Sequence, residues 1–274
     1  MQYLKALRLP AGLFLALMAI ASFNINGVNI HLAILPALVT LLMSSATMVW
    51  NDLCDCERDA LAGKNFALLH RRTFQGFSYL VWALACLSAA WLINTTSGIT
   101  TPIVALLMFG IGINYQRTER IIALPMLAVA TASSLCVCFA LSATTFSLQT
   151  ILLFLIVFSS QLAREIIKDL EDMAQDSDPT WGKATLPLRI GVPSSLTVVH
   201  ICLWFCALCI AILAMGLNDA TIGPMMVISV MFVIASTIMA NSKKEATAKS
   251  KFLLDIGLGI LAVTLGLLWS ILHH

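Results

Sequence analysis

The chain has 274 residues, 59% of them apolar and 11% charged, with a mean hydropathy of +0.93. Soluble domains carry about 25% charged residues, so the composition excludes a soluble globular fold and points to an all-α polytopic membrane protein. The formal net charge of +2 comes from intermingled basic and acidic residues, which argues against nucleic acid as a partner.

A helix needs roughly 17–25 apolar residues to cross a hydrocarbon core about 30 Å thick. Nine candidate runs occur, at about 9–28, 32–51, 74–94, 101–115, 121–142, 148–165, 194–216, 222–240 and 252–272. The first follows Lys5 and Arg8 and ends at Ala19-Ile20-Ala21, the outline of a signal peptide, yet the chain passes straight into another run and a retained span is expected. The fourth is short and contains Gly110 and Gly112, so its ends are the least defined. One domain over 1–274 is expected, built as two four-helix units (halves at about 1–142 and 143–274) plus a ninth helix.

The basic residues test this division. Lys5 and Arg8 precede the first run. Arg58, Lys64, Arg71 and Arg72 follow the second, and Arg117 and Arg120 the fourth. Arg164, Lys168, Lys183 and Arg189 border or follow the sixth, and Lys243, Lys244, Lys249 and Lys251 the eighth. All sixteen fall on one side, which the positive-inside rule makes cytoplasmic. The N-terminus is therefore expected in the cytoplasm and the C-terminus on the opposite side. The eight cysteines lie within spans or on the cytoplasmic side, where a disulfide framework is not expected. Cys202, Cys206 and Cys209 follow helical spacing and read as packing residues. His31, His70 and His200 are isolated and read as surface or packing groups.

The scarce carboxylates are clustered. After the second run the chain reads Asn51-Asp52-Leu53-Cys54-Asp55-Cys56-Glu57-Arg58-Asp59, and after the sixth Lys168-Asp169-Leu170-Glu171-Asp172-Met173-Ala174-Gln175-Asp176. On a helix Asn51, Asp55 and Asp59 share one face, and so do Asp169, Asp172 and Asp176. Like charges so close repel unless a cation intervenes. Each ladder offers hard oxygen donors suited to Mg²⁺, which binds through a few carboxylates, water and phosphate oxygens. Four crossings separate the two segments, returning the chain to the same face. The alternative is that acids at helix ends mark solvated loops.

At these residues the sequence resembles the UbiA superfamily of intramembrane prenyltransferases. Asn51, Asp55 and Asp59 match its NxxxDxxxD motif, and Asp169, Asp172 and Asp176 its second aspartate motif. Arg164-Glu165-Ile166-Ile167-Lys168 before the second motif and Lys183-Ala184-Thr185-Leu186-Pro187 after it are similar to the family's flanks. The resemblance implies two Mg²⁺ ions held by Asp55, Asp59, Asp169, Asp172 and Asp176, a prenyl diphosphate as substrate, and an isoprenoid tail in a central cavity that opens toward lipid. Asn51, Arg164, Lys168, Arg117 and Arg120 are the candidates to hold the diphosphate, with Asp59, Tyr115 and Lys168 as catalytic candidates. For Tyr115 an interfacial belt position is the alternative. Arg71, Arg72 and Lys183 read as loop charges that satisfy topology. After the first motif the family often carries an Arg-Pro segment, whereas residues 60–73 contain no proline, which leaves the acceptor open. The REIIKD flank leans toward members that alkylate glycerol-phosphate lipids or naphthoquinone precursors.

The expected activity is Mg²⁺-dependent prenyl transfer to an aromatic or lipid acceptor at the cytoplasmic face. One alternative is a cyclase that folds the tail onto itself. Another is a cation transporter, although only Asp255 sits inside an apolar run. A CDP-alcohol type phosphotransferase is disfavoured, because Asp59 is followed by Ala60 and no Asp-Gly pair occurs.

Overall fold

The computed structural model describes residues 2–271 apart from 62, 64, 116–120, 122–123, 178–182, 218, 220, 241–243 and 270. The described residues form helices α1 (Gln2–Ala6), α2 (Leu9–Ile25), α3 (His31–Cys54), α4 (Cys56–Leu61), α5 (Phe66–Leu69) and α6 (Arg71–Thr95). Then come α7 (Thr100–Asn114), α8 (Leu124–Cys138) with a 3₁₀ turn (Phe139–Ser142), α9 (Leu148–Asp176), α10 (Leu186–Leu217), α11 (Ile222–Met239) and α12 (Lys244–Val263) with a π turn (Thr264–Leu268). Each of the nine expected runs corresponds to one of these helices. Seven are long and apolar enough to cross a membrane, while α2 and α7 are apolar but shorter. The protein is an integral membrane protein. At 1.5 Å per residue α7 reaches only about 22 Å, consistent with its glycine-containing run.

Three helical irregularities follow from local sequence. Within α10, Gly191 takes φ 81° and ψ 163°, and Pro193 follows it. Only glycine adopts that angle without strain, so the seventh span begins beyond a kink, near the expected residue 194. In α3, Pro36 sits inside the helix, and the Thr40 hydroxyl donates to the Pro36 carbonyl at 2.8 Å. At the end of α12 the π turn is met by buried Asn24 of α2, whose Nδ2 donates to the carbonyls of Leu265 (3.1 Å) and Gly266 (3.0 Å). A Cβ on Gly266 would lie 2.9 Å from the Leu17 carbonyl oxygen. The first and last spans thus touch backbone to backbone at that depth.

Two large apolar cores result. One gathers α3, α6 and α7 around Met43, Trp82, Ala85 and Met108, with Phe23 from α2. The other joins α8 to α12 with α2 through Met18, Ile156, Leu203, Ile210, Met226 and Leu261, and it also buries Cys202, Cys206 and Cys209. A third, smaller cluster forms where Tyr3 of α1 meets Phe66, Phe74 and Phe77. The sequence reading had no element for α1, α4 or α5, whose lengths give too few turns for a periodic signal. They cover the end of the bundle where both acidic segments emerge.

Candidate active site

The first acidic segment straddles a helix junction. Helix α3 stops at Cys54 and α4 starts at Cys56, but Asp55 keeps φ −88° and ψ 2°. Hydrogen bonding continues through it, from the Asp55 N–H to the Asn51 carbonyl (2.9 Å) and from the Asp59 N–H to the Asp55 carbonyl (2.8 Å). The four-residue spacing therefore survives, and Asn51, Asp55 and Asp59 line one cavity. The second segment is the uninterrupted end of α9, and Asp169, Asp172 and Asp176 line the same cavity. Residues more than a hundred positions apart meet around a single polar chamber of about 80 Å³.

Cations are interleaved with these acids. Arg58 donates to Asp55, and Asn51 Nδ2 donates to the same carboxylate at 3.1 Å. Lys183 lies 3.4 Å from Asp176, both side chains being largely buried at 13% and 4% exposure. Lys168 lies 3.5 Å from Glu165, one turn back on α9. Burial pushes the Asp55 carboxyl above the usual carboxylate range, against the pull of the adjacent Arg58 guanidinium. Among the described residues, Asp59, Asp169 and Asp172 make no side-chain hydrogen bond or ion pair.

The chamber adjoins a second cavity of about 510 Å³ between α2, α3, α9 and α12, and Arg8, Asn51, Tyr115, Lys168 and Asp172 line both. Arg164 lines only this second cavity, its Nε 3.0 Å from Asp255. It is thus placed beside the acid-lined chamber and not within it. Lys251 of α12 closes the rim through a 2.9 Å pair with Glu171. Arg117 and Arg120 lie outside the described residues. Lys183, read from the sequence as a loop charge, is a wall of the acid-lined chamber. Arg71 is an exposed partner of Glu57 at 3.2 Å, as a topology charge would be.

Sequence reasoning missed two residues. Arg58 stands three positions beyond Asp55, so helical spacing carried its signal. Arg8 carried none beyond its place before the first span. It lines three cavities, donates to Asp52 at 2.8 Å, and adopts φ 45° as the only described non-glycine residue at positive φ. Such backbone costs about 1–2 kcal/mol per residue and persists where the surroundings over-determine it.

The donor set is one of hard oxygens. Among the described residues no three His, Cys, Asp or Glu side chains converge to hold a metal by themselves. Mg²⁺ commonly takes one or two carboxylates and completes its octahedron with water and phosphate oxygens. Two carboxylate ladders facing across a small chamber fit a metal that arrives with a phosphorylated ligand.

The model of the UbiA prenyltransferase family matches residues 10–270 of this chain. No curated protein matches the sequence closely enough to count as a relative. Among solved structures, an apo UbiA homologue from Aeropyrum pernix K1 superposes with a TM-score of 0.72 at 17% identity, covering 91% of this chain and 95% of that one. A UbiA homologue from Archaeoglobus fulgidus, solved with GPP and Mg²⁺, gives 0.68 at 16% identity over 97% and 99%. A digeranylgeranylglyceryl phosphate synthase gives 0.66 at 19% identity over 98% and 99%. At these identities the likeness is one of fold.

Proposed function

This chain belongs to the UbiA prenyltransferase family, and we propose that it transfers a prenyl group from a prenyl diphosphate to an aromatic or lipid acceptor with the help of Mg²⁺. The observation that carries the reading is that Asn51, Asp55 and Asp59 share one chamber with Asp169, Asp172 and Asp176. Solvated helix ends would have no reason to face one another. The structural relative from Archaeoglobus fulgidus was solved with the two ligands invoked here, GPP and Mg²⁺.

In this reading Asp55, Asp59, Asp169, Asp172 and Asp176 hold the metal, and Asn51 orients Asp55 through its 3.1 Å hydrogen bond. Mg²⁺ bound there supplies Lewis-acid stabilisation of the charge that builds on the departing diphosphate. Lys168, Arg58, Lys183 and Arg8 line the chamber as fixed cations and stabilise the same charge electrostatically. Tyr115 lines the acid chamber, the 510 Å³ cavity and an apolar cleft below them. In this reading its aromatic ring would stabilise positive charge developing on the allylic carbon. The cavity of about 510 Å³ has room for a second molecule, which favours transfer to an acceptor over cyclisation. Asp255, the acid a transport path would need, is paired with Arg164. The one-sided distribution of Lys and Arg puts this chemistry at the cytoplasmic face.

Purified protein incubated with Mg²⁺ and a panel of prenyl diphosphates, alone and with candidate acceptors, is read by mass spectrometry. Prenylated acceptor should form with wild-type protein and fail to form with Asp55→Ala or Asp172→Ala. Undiminished product from either variant would overturn the assignment.

A further inference from the structure

One acid of the first segment has no place in the metal reading. Asn51, Asp55 and Asp59 line the chamber, while Asp52, one residue on from Asn51, stands about 100° round α3 from that face at 3.6 residues per turn. It lines instead a third cavity, of about 470 Å³, bordered by α1, α3, α4, α5 and α6. Its carboxylate is engaged there: Arg8 Nη2 donates to Asp52 Oδ1 at 2.8 Å, and Nη1 of the same guanidinium donates to Met48 Sδ at 3.5 Å. Met48 and Asp52 are one turn apart on α3, so the arginine side chain lies along that strip of the helix.

Arg8 is fixed from two sides. Its backbone, at φ 45°, joins α1 to α2. Helix α1 is itself pinned by Tyr3, whose ring packs on Phe66 and Phe77 with centroids 5.2 and 5.1 Å away and whose hydroxyl donates to Thr73 Oγ1 at 3.1 Å. Those contacts place the Arg8 backbone. The side chain is long, rotatable and 42% exposed, and the charged hydrogen bond from Asp52 is what places it. Arg8 and Asp59 line both the acid chamber and the third cavity. A guanidinium that lost Asp52 would have the third cavity to swing into, away from the chamber.

We propose that Asp52 is a positioning residue, which holds Arg8 with its guanidinium at the wall of the chamber and does not bind the metal. The proposal rests on the prenyl diphosphate reading and adds a residue that acts through another. Arginine carries its N–H donors in a rigid fork, so anchoring one edge on Asp52 and Met48 sets the direction of the rest. A binding group already held in place gives up less freedom when its ligand arrives. The diphosphate then meets a cation that is aimed in advance.

The test is calorimetry on the full chain in detergent, with Mg²⁺ alone and with Mg²⁺ plus inorganic diphosphate. Asp52→Ala is expected to weaken diphosphate binding about fivefold, less than removal of the Arg8 guanidinium, because a charged hydrogen bond is loosened and not deleted. Affinity for Mg²⁺ alone should stay within about threefold, since the chamber keeps all its hard oxygen donors. Asp52→Asn retains an oxygen that accepts from Arg8 and should restore most of the diphosphate affinity. Asp52→Ser, polar but too short to reach Arg8, should behave as Asp52→Ala does. In an Arg8→Gly background Asp52→Ala should cost nothing further, as expected of two residues that act as one unit. Diphosphate binding that is unchanged or tighter in Asp52→Ala, or losses that add in the double variant, would overturn the positioning role. So would a fall in Mg²⁺ affinity matching the fall for diphosphate, which would make Asp52 a metal ligand. Wild-type protein that binds no diphosphate with Mg²⁺ overturns the head-group reading itself, and this role with it.

Discussion

Lys183 is a built-in counter-cation for the acid ladder, and its removal should make the protein depend on Mg²⁺ for stability. The Lys183 ammonium sits 3.4 Å from Asp176, with both side chains largely buried. At an effective dielectric of about 20, two unit charges at that distance attract by ~5 kcal/mol. Leaving one member of a buried pair alone costs about 3–5 kcal/mol. Lys183→Met keeps the length and apolar stem but removes the charge, so Asp176 loses its ion-pair partner on the wall that also carries Asp169 and Asp172. Without metal the variant should melt well below wild type. With Mg²⁺ it should recover much of the difference, because a ligand that binds only the folded state stabilises it by RT ln(1 + [L]/Kd), and a more negative wall lowers Kd. Inorganic diphosphate with Mg²⁺ should bind more weakly than to wild type, since a cation on the anion's side is gone. The assay is thermal unfolding in detergent across a Mg²⁺ titration. A variant as stable as wild type without metal, or one that gains no more from Mg²⁺ than wild type does, would refute the balancing role.

Arg8→Gly should separate stability from function: the positive φ at residue 8 is relieved, worth about 1–2 kcal/mol, while loss of the guanidinium weakens diphosphate binding about tenfold, a charged hydrogen bond being worth about 1.5–3 kcal/mol. Binding unchanged from wild type would remove Arg8 from the site. Asn24→Leu leaves the carbonyls of Leu265 and Gly266 without their side-chain donor. It should cost about 1–3 kcal/mol per buried group, seen as a lower melting temperature with Mg²⁺ affinity unaltered. Tyr115→Ala should lower kcat more than it raises KM, since its aromatic face matters when positive charge develops; Tyr115→Phe should keep most of the rate. Equal loss in both variants would place the role in the hydroxyl.

Each of the nine apolar runs gave a helix, because burial in lipid demands length and apolarity and both are countable along the chain, but α9 runs on to Asp176, α10 starts at Leu186 and α12 at Lys244, where polar turns extend the helix beyond the apolar run. The site was legible for a related reason. Asn51, Asp55 and Asp59, like Asp169, Asp172 and Asp176, fall at helical spacing, and facing across one chamber follows once α2 and α8, which pack against both α3 and α9, hold those helices opposite each other. Spacing along one helix says nothing of partners on another. Lys183 thus read as a loop charge until its 3.4 Å contact with Asp176 was seen, and Arg164 read as a diphosphate ligand although it turns to Asp255 of α12. Arg8 was invisible for a third reason: a left-handed residue between α1 and α2 leaves no trace in hydrophobic periodicity.

The central claim is that both ladders grip one ligand. A double-mutant cycle on Asp55→Ala and Asp172→Ala, read as the affinity for Mg²⁺ with geranyl diphosphate, tests it most directly. If the two carboxylates serve a single head group, the double variant should bind little worse than the weaker single variant, a departure from additivity of at least ~1 kcal/mol. Losses that simply add would mean that the ladders act on separate ligands.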